Sequence, residues 1–271
     1  MQIIDGRKIA AEIIGRLQAL PTPQKYLAAV LAGDNAASKS FLKQKEKLAQ
    51  GLGVDFRLRV LSAAASKDEL RAEVAKLADD AACGGIIVQL PLPDRAIEHD
   101  ILDTIPEEKD VDVLGIPALT KFHAGESSIL PPSAGVVKEI LDVHRRPLAS
   151  FSVAVVGTGQ LVGQPIAAWL KGRAKVVMVF DKGDDLLLLK KMDVVVLGAG
   201  VPGLVSGAML KDDALVIDFG YGVKEGKTMG DFDVTPDGAD APRISYTPTP
   251  GGTGPILVAK LLENFYELNG E

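Results

Sequence analysis

The sequence predicts an α/β protein of two lobes with a cleft between them. Short apolar runs typical of strands alternate with stretches of helical periodicity along the chain. This is the pattern of parallel strands joined by right-handed helical crossovers. A glycine turn at residues 157–163 separates one apolar run from a helix-compatible segment. The 271 residues, 47% of them hydrophobic, are enough for two ordinary cores.

The first half of the chain alternates helical segments with strand-like runs. Asp5 can cap the first helix, and Pro21 and Pro23 end it. Gly51 and Gly53 end the second helix. The predicted elements are a helix at 5–20, a strand at 26–31, a helix that begins at Asn35 or Ser38 and ends near residue 50, a strand at 54–61, a helix at 66–82 and a strand at 85–90. We expect parallel pairing in this α/β lobe.

The second half repeats the class of fold without repeating the sequence. Its predicted elements are a helix at 135–143, strands at 151–156, 175–180, 193–197 and 214–219, and a final helix at 256–268. A segment rich in proline and glycine, residues 247–255, precedes the final helix. Ligands of open α/β sheets lie beyond the carboxyl ends of the strands, which places the expected site in the cleft.

Composition and charge exclude several classes of function. The net charge of −6 and pI of about 5.2 argue against nucleic acid as the main partner. Cys83 is the only cysteine, which favours a buried small residue in a reducing cytoplasm over a disulfide framework. The N-terminus lacks the apolar core of a signal peptide, and no apolar run has membrane-spanning length. The three histidines are scattered, so no metal site is expected.

The glycine turn has the features of a nucleotide pyrophosphate site. Gly157, Gly159 and Gly163 lie between an alternating apolar run and a segment that begins near Pro165. Glycines permit a tight turn and a close backbone approach, and a helix N-terminus favours phosphate. The spacing is G-x-G-x-x-x-G instead of the commoner G-x-G-x-x-G, so the turn by itself is not decisive.

A basic helical stretch, residues 38–47, has two interpretations. Ser38, Phe41 and Lys45 fall on one helical face. By itself the stretch favours a solvated basic face. The alternative is a ligand-facing surface, because Phe41 precedes Lys45 by one turn and can flank a flat ligand.

Three further stretches interrupt the regular pattern. In VQLPLP, residues 88–93, Gln89 ends an apolar strand before two prolines, and either binds a ligand or satisfies loop backbone. In KDVD, residues 109–112, only one of the two carboxylates can face a ligand if the segment is extended, and turn chemistry is the favoured account. In TPTPGGTGP, residues 247–255, the restrained backbone suits a ligand platform or a plain connection between lobes.

Taken in order, these stretches resemble the bifunctional methylenetetrahydrofolate dehydrogenase/cyclohydrolase family over nearly the whole chain. The opening IIDGRKIA is similar to the start of that family, and Ser38, Phe41 and Lys45 are similar to its Ser-x-x-Tyr-x-x-x-Lys helix. VQLPLP and KDVD are identical to family signatures. The glycine turn is similar to G-R-S-x-x-V-G-x-P, and residues 250–255, PGGTGP, are close to PGGVGP.

The resemblance implies an oxidoreductase and hydrolase of one-carbon metabolism, acting on tetrahydrofolate derivatives. It would oxidise 5,10-methylenetetrahydrofolate with NAD(P) and hydrolyse the methenyl product to 10-formyltetrahydrofolate. The implied domains are a catalytic, folate-binding domain at 1–134, joined by a C-terminal helix at 255–271, and a Rossmann-like NAD(P)-binding domain at 135–254. A cytoplasmic homodimer is expected.

The resemblance also implies the roles of individual residues. Lys45 would adjust proton traffic in the hydrolytic step, Gln89 would hold and tune Lys45, and Asp112 would bind the polar edge of the pterin. The implied substrate-binding residues are Phe41, Val88, Leu90, Pro91, Pro250, Gly251 and Gly252. The implied cofactor-binding residues are Gly157, Thr158, Gly159, Gly163 and Asp181.

The chain departs from the family pattern at several positions. Phe41 replaces a tyrosine, from which we expect weakened hydrolysis, and Val113 replaces the glycine after KDVD. Residues 131–135 only loosely resemble the family's Cys-Thr-Pro-x-Gly.

Thr158 replaces an arginine that could bind the additional phosphate of NADP, and Asp181 would repel that phosphate and accept a ribose hydroxyl. Lys182 could in part compensate for the missing arginine, and Asp181 could instead begin a turn with Gly183. We therefore expect NAD to be favoured over NADP.

Two rival functions fit parts of the sequence. One is another nicotinamide dehydrogenase of similar architecture, of amino-acid or shikimate type, which would leave Gln89 unexplained. The other is a non-catalytic protein that binds folate or a dinucleotide, which the departures at Phe41, Val113 and Thr158 would permit. The joint presence of Lys45, Gln89 and Asp112 argues against it.

Overall fold

The structure is a computed structural model that describes residues 1–144, 147–224, 226–235 and 242–270. The chain divides into two compact units. One consists of Met1–Ala11 and Ser133–Leu257, and we call it the glycine-turn unit. The other consists of Glu12–Pro132 and Val258–Glu271, and we call it the Lys45 unit.

Helices and strands alternate along the described residues. The strands are β1 (Gln2–Ile3), β2 (Tyr26–Ala32), β3 (Phe56–Leu61), β4 (Cys83–Val88), β5 (Ser152–Val156), β6 (Val176–Phe180), β7 (Val194–Leu197), β8 (Val205–Ser206), β9 (Ala214–Asp218), β10 (Gly222–Lys224), β11 (Lys227–Met229), β12 (Phe232–Asp233) and β13 (Ile244–Tyr246). The helices are α1 (Gly6–Gln18), α2 (Ala36–Gly51), α3 (Lys67–Asp79), α4 (Glu98–Leu102), α5 (Ile116–Ala124), α6 (Pro132–Val143), α7 (Gly163–Leu170) and α8 (Thr253–Asn269).

The Lys45 unit is built on a three-stranded parallel sheet in the order β3-β2-β4. Every residue of β2 and β4 is buried, as expected for parallel strands covered on both faces. Helix α2 begins after Asn35, whose side chain accepts the N–H of Ser38. The later part of α8 belongs to this unit, where Phe265 is fully buried and Asn264 donates to the carbonyls of Val111 and Leu130.

The glycine-turn unit contains a six-stranded parallel sheet in the order β1-β13-β9-β7-β5-β6. The chain goes from β5 to β6 on one side and then returns to β7 on the other side of β5. This reversal creates a topological switch point at the carboxyl ends of β5 and β7, where ligands bind in doubly wound sheets.

The α/β class and the parallel pairing are confirmed, and the differences lie in short elements and ends. Strand β1 was not predicted, because two exposed residues carry no periodicity, yet it pairs with β13. Helix α5 was also not predicted, although Gly125 ends it in a left-handed conformation with φ of 74°. The helix predicted at 66–82 ends at Asp79 because Asp80 is extended.

The terminal helix is longer at its start than the prediction from the sequence pattern. It begins at Thr253 and ends at Asn269, and Glu271 of the predicted 255–271 segment lies outside the described residues. Within the described ranges, no helix has both the length and the apolar character needed to cross a membrane.

Candidate active site

Lys45 lies on the buried face of α2. This face also carries Ser38, Leu42 and Ala49, spaced so that they form one stripe. Lys45 is only 4% exposed, which makes the favoured interpretation of a solvated basic face wrong for this residue. The interpretation holds for the neighbouring lysines, which are exposed: Lys39, Lys43 and Lys47.

Gln89 lies directly beyond β4 and faces Lys45. Its backbone N–H donates to the carbonyl of Val30, which continues the pairing with β2 past the end of the strand. Its side-chain Nε2 donates to the carbonyl of Leu90 at 2.8 Å. This bond orients the amide so that Oε1 accepts a hydrogen bond from Lys45 Nζ at 3.4 Å.

The two carboxylates of KDVD have different environments, and the turn interpretation holds for Asp110. Asp112 Oδ2 lies 3.9 Å from Lys45 Nζ, in position for a ligand-facing role. Asp110 is fully buried, and its Oδ2 accepts the N–H groups of Leu114 and Gly115 at 2.9 and 2.8 Å. Asp110 therefore supplies the turn chemistry.

Phe41 completes this cluster of side chains. Its ring centroid lies 5.2 Å from Lys45 Nζ, within the range of a cation–π contact. The ring is half-buried, so one part of it packs against the unit and another remains accessible. The structure thus brings Phe41, Lys45, Gln89 and Asp112 together.

Burial controls the protonation of the cluster. Desolvation lowers the pKa of Lys45 from its usual value, and the Asp112 carboxylate opposes this shift. Burial also raises the pKa of Asp110 to about 6, although the N–H groups of Gly115 and Leu114 favour its charged form. A lysine with a lowered pKa can exchange a proton closer to neutral pH than an exposed lysine.

The other implied substrate-binding residues of VQLPLP lie in the core or at the surface of the Lys45 unit. Val88 and Leu90 are buried in the hydrophobic core that includes Tyr26 and Leu70. Pro91 is exposed and follows a cis peptide bond. Of this stretch, Gln89 is the residue whose side chain contacts Lys45.

Close packing requires glycine at two of the three glycine positions of the turn. A Cβ on Gly157 would lie 2.6 Å from the carbonyl oxygen of Gly198, and φ at Gly157 is +102°. A Cβ on Gly163 would lie 1.9 Å from the carbonyl oxygen of Gly157. At Gly159 a Cβ would meet open space, so the backbone there is accessible. This turn, at the switch point beside β5, fits a dinucleotide pyrophosphate.

Thr158 and Asp181 form a polar pair next to the turn. Thr158 Oγ1 donates to Asp181 Oδ2 at 2.8 Å, and the N–H of Lys182 donates to Asp181 Oδ1 at 2.8 Å. The hydrogen bond from the N–H of Lys182 contributes most to lowering the pKa of Asp181, and the bond from Thr158 lowers it further. Asp181 directly follows β6, where an acidic side chain suits ribose hydroxyl groups.

The Pro-Gly segment packs against the start of the chain within the glycine-turn unit. A Cβ on Gly6 would lie 1.8 Å from the carbonyl oxygen of Gly252, so the IIDGR opening and the PGG segment are in direct backbone contact. Gly251 has φ of +98°, and the guanidinium of Arg7 lies beside it. Pro250 follows a cis peptide bond.

Two buried carboxylates of the glycine-turn unit were not predicted from the sequence. Asp231 Oδ2 accepts the N–H groups of Ala199 and Gly200, in the loop after β7, at 2.7 and 2.9 Å. Asp218 accepts the N–H groups of Gly220 and Asp231 at 2.7 and 3.2 Å. Burial raises the pKa of both, that of Asp218 to about 6. The available signal was Asp218 at the end of the apolar run ALVID.

Two known protein families match the chain, one in each half of the sequence. Residues 4–112 match the family described as tetrahydrofolate dehydrogenase/cyclohydrolase, catalytic domain. Residues 131–270 match the family described as tetrahydrofolate dehydrogenase/cyclohydrolase, NAD(P)-binding domain. The bifunctional protein FolD of Exiguobacterium sibiricum is 34% identical over 274 residues, which cover 98% of each chain.

Solved structures of this family are similar over nearly the whole chain. The bifunctional enzyme FolD of Campylobacter jejuni, a methylenetetrahydrofolate dehydrogenase/cyclohydrolase, is 30% identical with a TM-score of 0.90, covering 99% of this chain and 98% of its own. The Trypanosoma brucei dehydrogenase-cyclohydrolase, solved with NADP and an inhibitor, is 30% identical with a TM-score of 0.88, covering 98% and 96%. The chain therefore belongs to the tetrahydrofolate dehydrogenase/cyclohydrolase family, with a catalytic and an NAD(P)-binding domain.

Proposed function

We propose that this protein oxidises 5,10-methylenetetrahydrofolate to 5,10-methenyltetrahydrofolate with NAD(P)+ and hydrolyses the product to 10-formyltetrahydrofolate. Membership of the family supports both activities. The observation that carries the proposal is the buried amino group of Lys45, in contact with Gln89, Asp112 and Phe41. Burying an ammonium group is costly, and such groups with a shifted pKa cluster at functional sites.

In the oxidation, a hydride leaves the methylene carbon of the folate and the methenyl cation remains. Bound NAD(P)+ supplies nicotinamide C4 as the hydride acceptor. The chain orients and holds the two ligands for this transfer. We assign cofactor binding to Gly157, Thr158, Gly159, Gly163 and Asp181.

In the hydrolysis, water adds to the cationic carbon, the bond from this carbon to N5 breaks, and N5 takes up a proton. The added water loses two protons in total, so one proton is released overall. Lys45 accepts and returns a proton during these steps, for which its lowered pKa is suited. Gln89 Oε1 fixes the direction of Nζ by accepting a hydrogen bond from it.

Asp112 holds the pterin in place while the carbon reacts. Its carboxylate can accept two ring donors at once and also lies 3.9 Å from Lys45 Nζ. We assign contacts with the folate to Phe41, Val88, Leu90, Pro91, Pro250, Gly251 and Gly252. For Val88 and Leu90, whose side chains are buried in the core, the backbone is the part available for contact.

The hydrolytic activity is weaker, relative to the oxidation, than in relatives with a tyrosine at position 41. Phe41 keeps the ring beside Lys45 Nζ but has no hydroxyl group to join a proton relay or to bind water. Stacking on a flat ligand does not need the hydroxyl.

The cofactor preference is for NAD over NADP. Asp181 is ionised and exposed directly after β6, and Thr158 holds its carboxylate by a hydrogen bond of 2.8 Å. A like-charge contact with the additional phosphate of NADP would disfavour that cofactor by about ten-fold or more. Replacement of Asp181 by Ser should shift the ratio of kcat/KM values towards NADP, and Asp185→Ser is the matched charge control. A wild-type ratio that favours NADP would contradict the preference.

Domain limits, assembly and location follow from the same resemblance. We propose a folate-binding domain at 1–134 completed by the C-terminal helix at 255–271, and a dinucleotide domain at 135–254. Within the first of these ranges, residues 1–11 pack in the glycine-turn unit, where β1 pairs with β13. We also propose a homodimer in the cytoplasm. Light scattering of the purified protein measures the assembly, and a monomer at micromolar concentration would contradict it.

The decisive experiment mixes the protein with 5,10-methylenetetrahydrofolate and either NAD or NADP. Absorbance of the reduced nicotinamide and of the methenyl compound is followed at the same time. We expect both signals to rise and the methenyl signal to decay. No signal with either cofactor would overturn the proposal, and tight folate binding without nicotinamide reduction would favour the non-catalytic rival.

A further inference from the structure

The loop between Asp110 and Gly115 contains an unusual backbone conformation. Val113 has φ of +55°, in the left-handed region, and its side chain is 1% exposed. For a β-branched residue this conformation is strained, and it persists only where the surrounding structure enforces it. Strain of this kind is concentrated at functional sites, and Val113 directly follows Asp112.

Asp110 accepts hydrogen bonds from the backbone at and after this strained residue. Its Oδ2 accepts the N–H groups of Leu114 and Gly115, the two residues after Val113, at 2.9 and 2.8 Å. The carbonyl of Asp110 accepts the N–H of Val113 itself at 3.2 Å. One residue therefore makes hydrogen bonds to three consecutive N–H groups, which closes the turn tightly after Asp112.

The other parts of the loop leave little freedom. A Cβ on Gly115 would lie 2.7 Å from the carbonyl oxygen of Leu102 and 3.3 Å from Asp110 Oδ2, so glycine permits the close approach. Asn264 donates to the carbonyl of Val111 at 2.8 Å. The second oxygen of Asp110, Oδ1, is buried and accepts no hydrogen bond from any described residue.

We propose that Asp110 is a positioning residue for the candidate site, which holds the strained turn at Val113 and thereby fixes the Asp112 carboxylate beside Lys45. Asp110 does not contact Lys45 in this role. It acts through the backbone of the turn, and Asp112 is the group that touches the ligand. This inference rests on the proposed folate-binding role of Asp112.

The chemistry of Asp110 separates a geometric role from an electrostatic one. Asp110→Asn can keep an oxygen at the Oδ2 position and place its amide nitrogen at the Oδ1 position, so the turn is retained and the charge is lost. Asp110→Ala leaves the half-buried N–H of Leu114 and the buried N–H of Gly115 without this acceptor. A positioning role predicts that Asn largely restores the function that Ala loses.

The test compares steady-state kinetics of these variants with 5,10-methylenetetrahydrofolate. We expect Asp110→Ala to raise KM for the folate about ten-fold with a smaller change in kcat, because ground-state binding is lost. Asp110→Asn should stay within about three-fold of wild type. The matched control is Asp103→Ala, which removes the acceptor of the Ile116 N–H at 2.8 Å but leaves the turn intact. Equal defects in Asp110→Asn and Asp110→Ala would overturn the proposal.

A double substitution tests the link to Val113. Glycine adopts the left-handed conformation without strain, so the turn needs less support in Val113→Gly. The KM penalty of Asp110→Ala should therefore be smaller in the Val113→Gly background than in wild type. An equal or larger penalty there would contradict the link.

The amide resonances of Leu114 and Gly115 report the hydrogen bonds without any turnover. We expect them to lose their protection from exchange in Asp110→Ala and to keep it in Asp110→Asn. If wild type neither binds nor oxidises the folate, the proposed function fails while this readout still tests the turn. If wild type is active and Asp110→Ala has an unchanged KM, the inference alone fails.

Discussion

The two candidate sites of this protein are made of different parts of the chain. In the Lys45 unit, side chains form the site, with Nζ of Lys45 in contact with Gln89, Asp112 and Phe41. In the glycine-turn unit, the backbone forms most of the site, because missing Cβ atoms at Gly157 and Gly163 permit its close packing. Chemistry should therefore depend on side-chain identity in one unit and on steric fit in the other.

The largest expected effect is that of Lys45→Gln on methenyl hydrolysis. Glutamine keeps a hydrogen-bond donor near Gln89 and Asp112 but cannot carry the proton. We expect hydrolysis to fall by about 100-fold or more, the size of a lost acid–base group. Nicotinamide reduction should fall much less.

The control for this prediction is Lys47→Gln, on the exposed face of the same helix. It should leave both rates unchanged. Equal losses of the two activities in a folded Lys45→Gln variant would contradict a role of Lys45 that is specific to hydrolysis.

The next effect is that of Gly163→Ala on dinucleotide binding. The added Cβ would lie 1.9 Å from the carbonyl oxygen of Gly157, so the turn must open. We expect the dissociation constant for NAD(P)H, measured by fluorescence titration, to rise about ten-fold or more, together with a lower melting temperature.

Two glycines with free space sharpen this prediction. Gly159→Ala meets nothing within 4 Å and should keep the melting temperature of wild type. Gly15→Ala, also without neighbours within 4 Å, lies in α1 and should keep wild-type binding without any loss of stability, because alanine is favoured over glycine inside a helix. Wild-type binding in Gly163→Ala would contradict a site built on backbone packing.

A smaller effect is the pH dependence of stability, to which one buried carboxyl considered in each unit contributes: Asp110 in the Lys45 unit and Asp218 in the glycine-turn unit. The pKa values of Asp110 and Asp218 are raised to about 6, from 3.8. The folded state then binds more protons than the unfolded state, so each carboxyl makes folding less favourable as pH rises from about 4 to about 6. Between pH 7 and pH 5 each should add about 1 kcal/mol to the free energy of unfolding.

Urea unfolding at the two pH values measures this contribution. Asp110→Asn should remove about 1 kcal/mol of the pH dependence found in wild type, since the amide does not titrate. An unchanged pH dependence in that variant would mean that Asp110 titrates in the folded protein as it does in the unfolded chain.

The smallest expected effect is a gain from Phe41→Tyr. The hydroxyl would restore one hydrogen-bonding group beside Lys45, and one such bond changes a rate by about two- to ten-fold. We expect the ratio of methenyl hydrolysis to nicotinamide reduction to rise by that factor. A ratio that stays the same would remove the reason for expecting weakened hydrolysis.

Much of the fold could be predicted because its main strands are uninterrupted apolar runs. Runs such as residues 153–156 and 194–197 are buried in parallel sheets and carry a clear local signal. The pairing of β1 with β13 could not be predicted, because it joins distant segments of two and three residues. Such pairing is determined by tertiary structure and not by local preference.

The residues of the candidate site could be selected from their motifs, but their environments could not. Three exposed lysines on α2 hide the fact that Lys45 lies on the buried face. The different environments of Asp110 and Asp112 depend on the left-handed turn at Val113, which a valine does not indicate in a sequence. The hydrogen bond from the N–H of Ala199 to Asp231 could not be predicted, because it depends on the order of the strands in the sheet.

The most direct test of Lys45 as the proton carrier is the pH dependence of methenyl hydrolysis, measured as kcat/KM without any dinucleotide. In wild type we expect the profile to report a group that titrates below the usual lysine range, because burial lowers the pKa of Lys45. In Lys45→Gln that transition should disappear together with most of the rate. The same transition at the same pH in both proteins would contradict the assignment of Lys45.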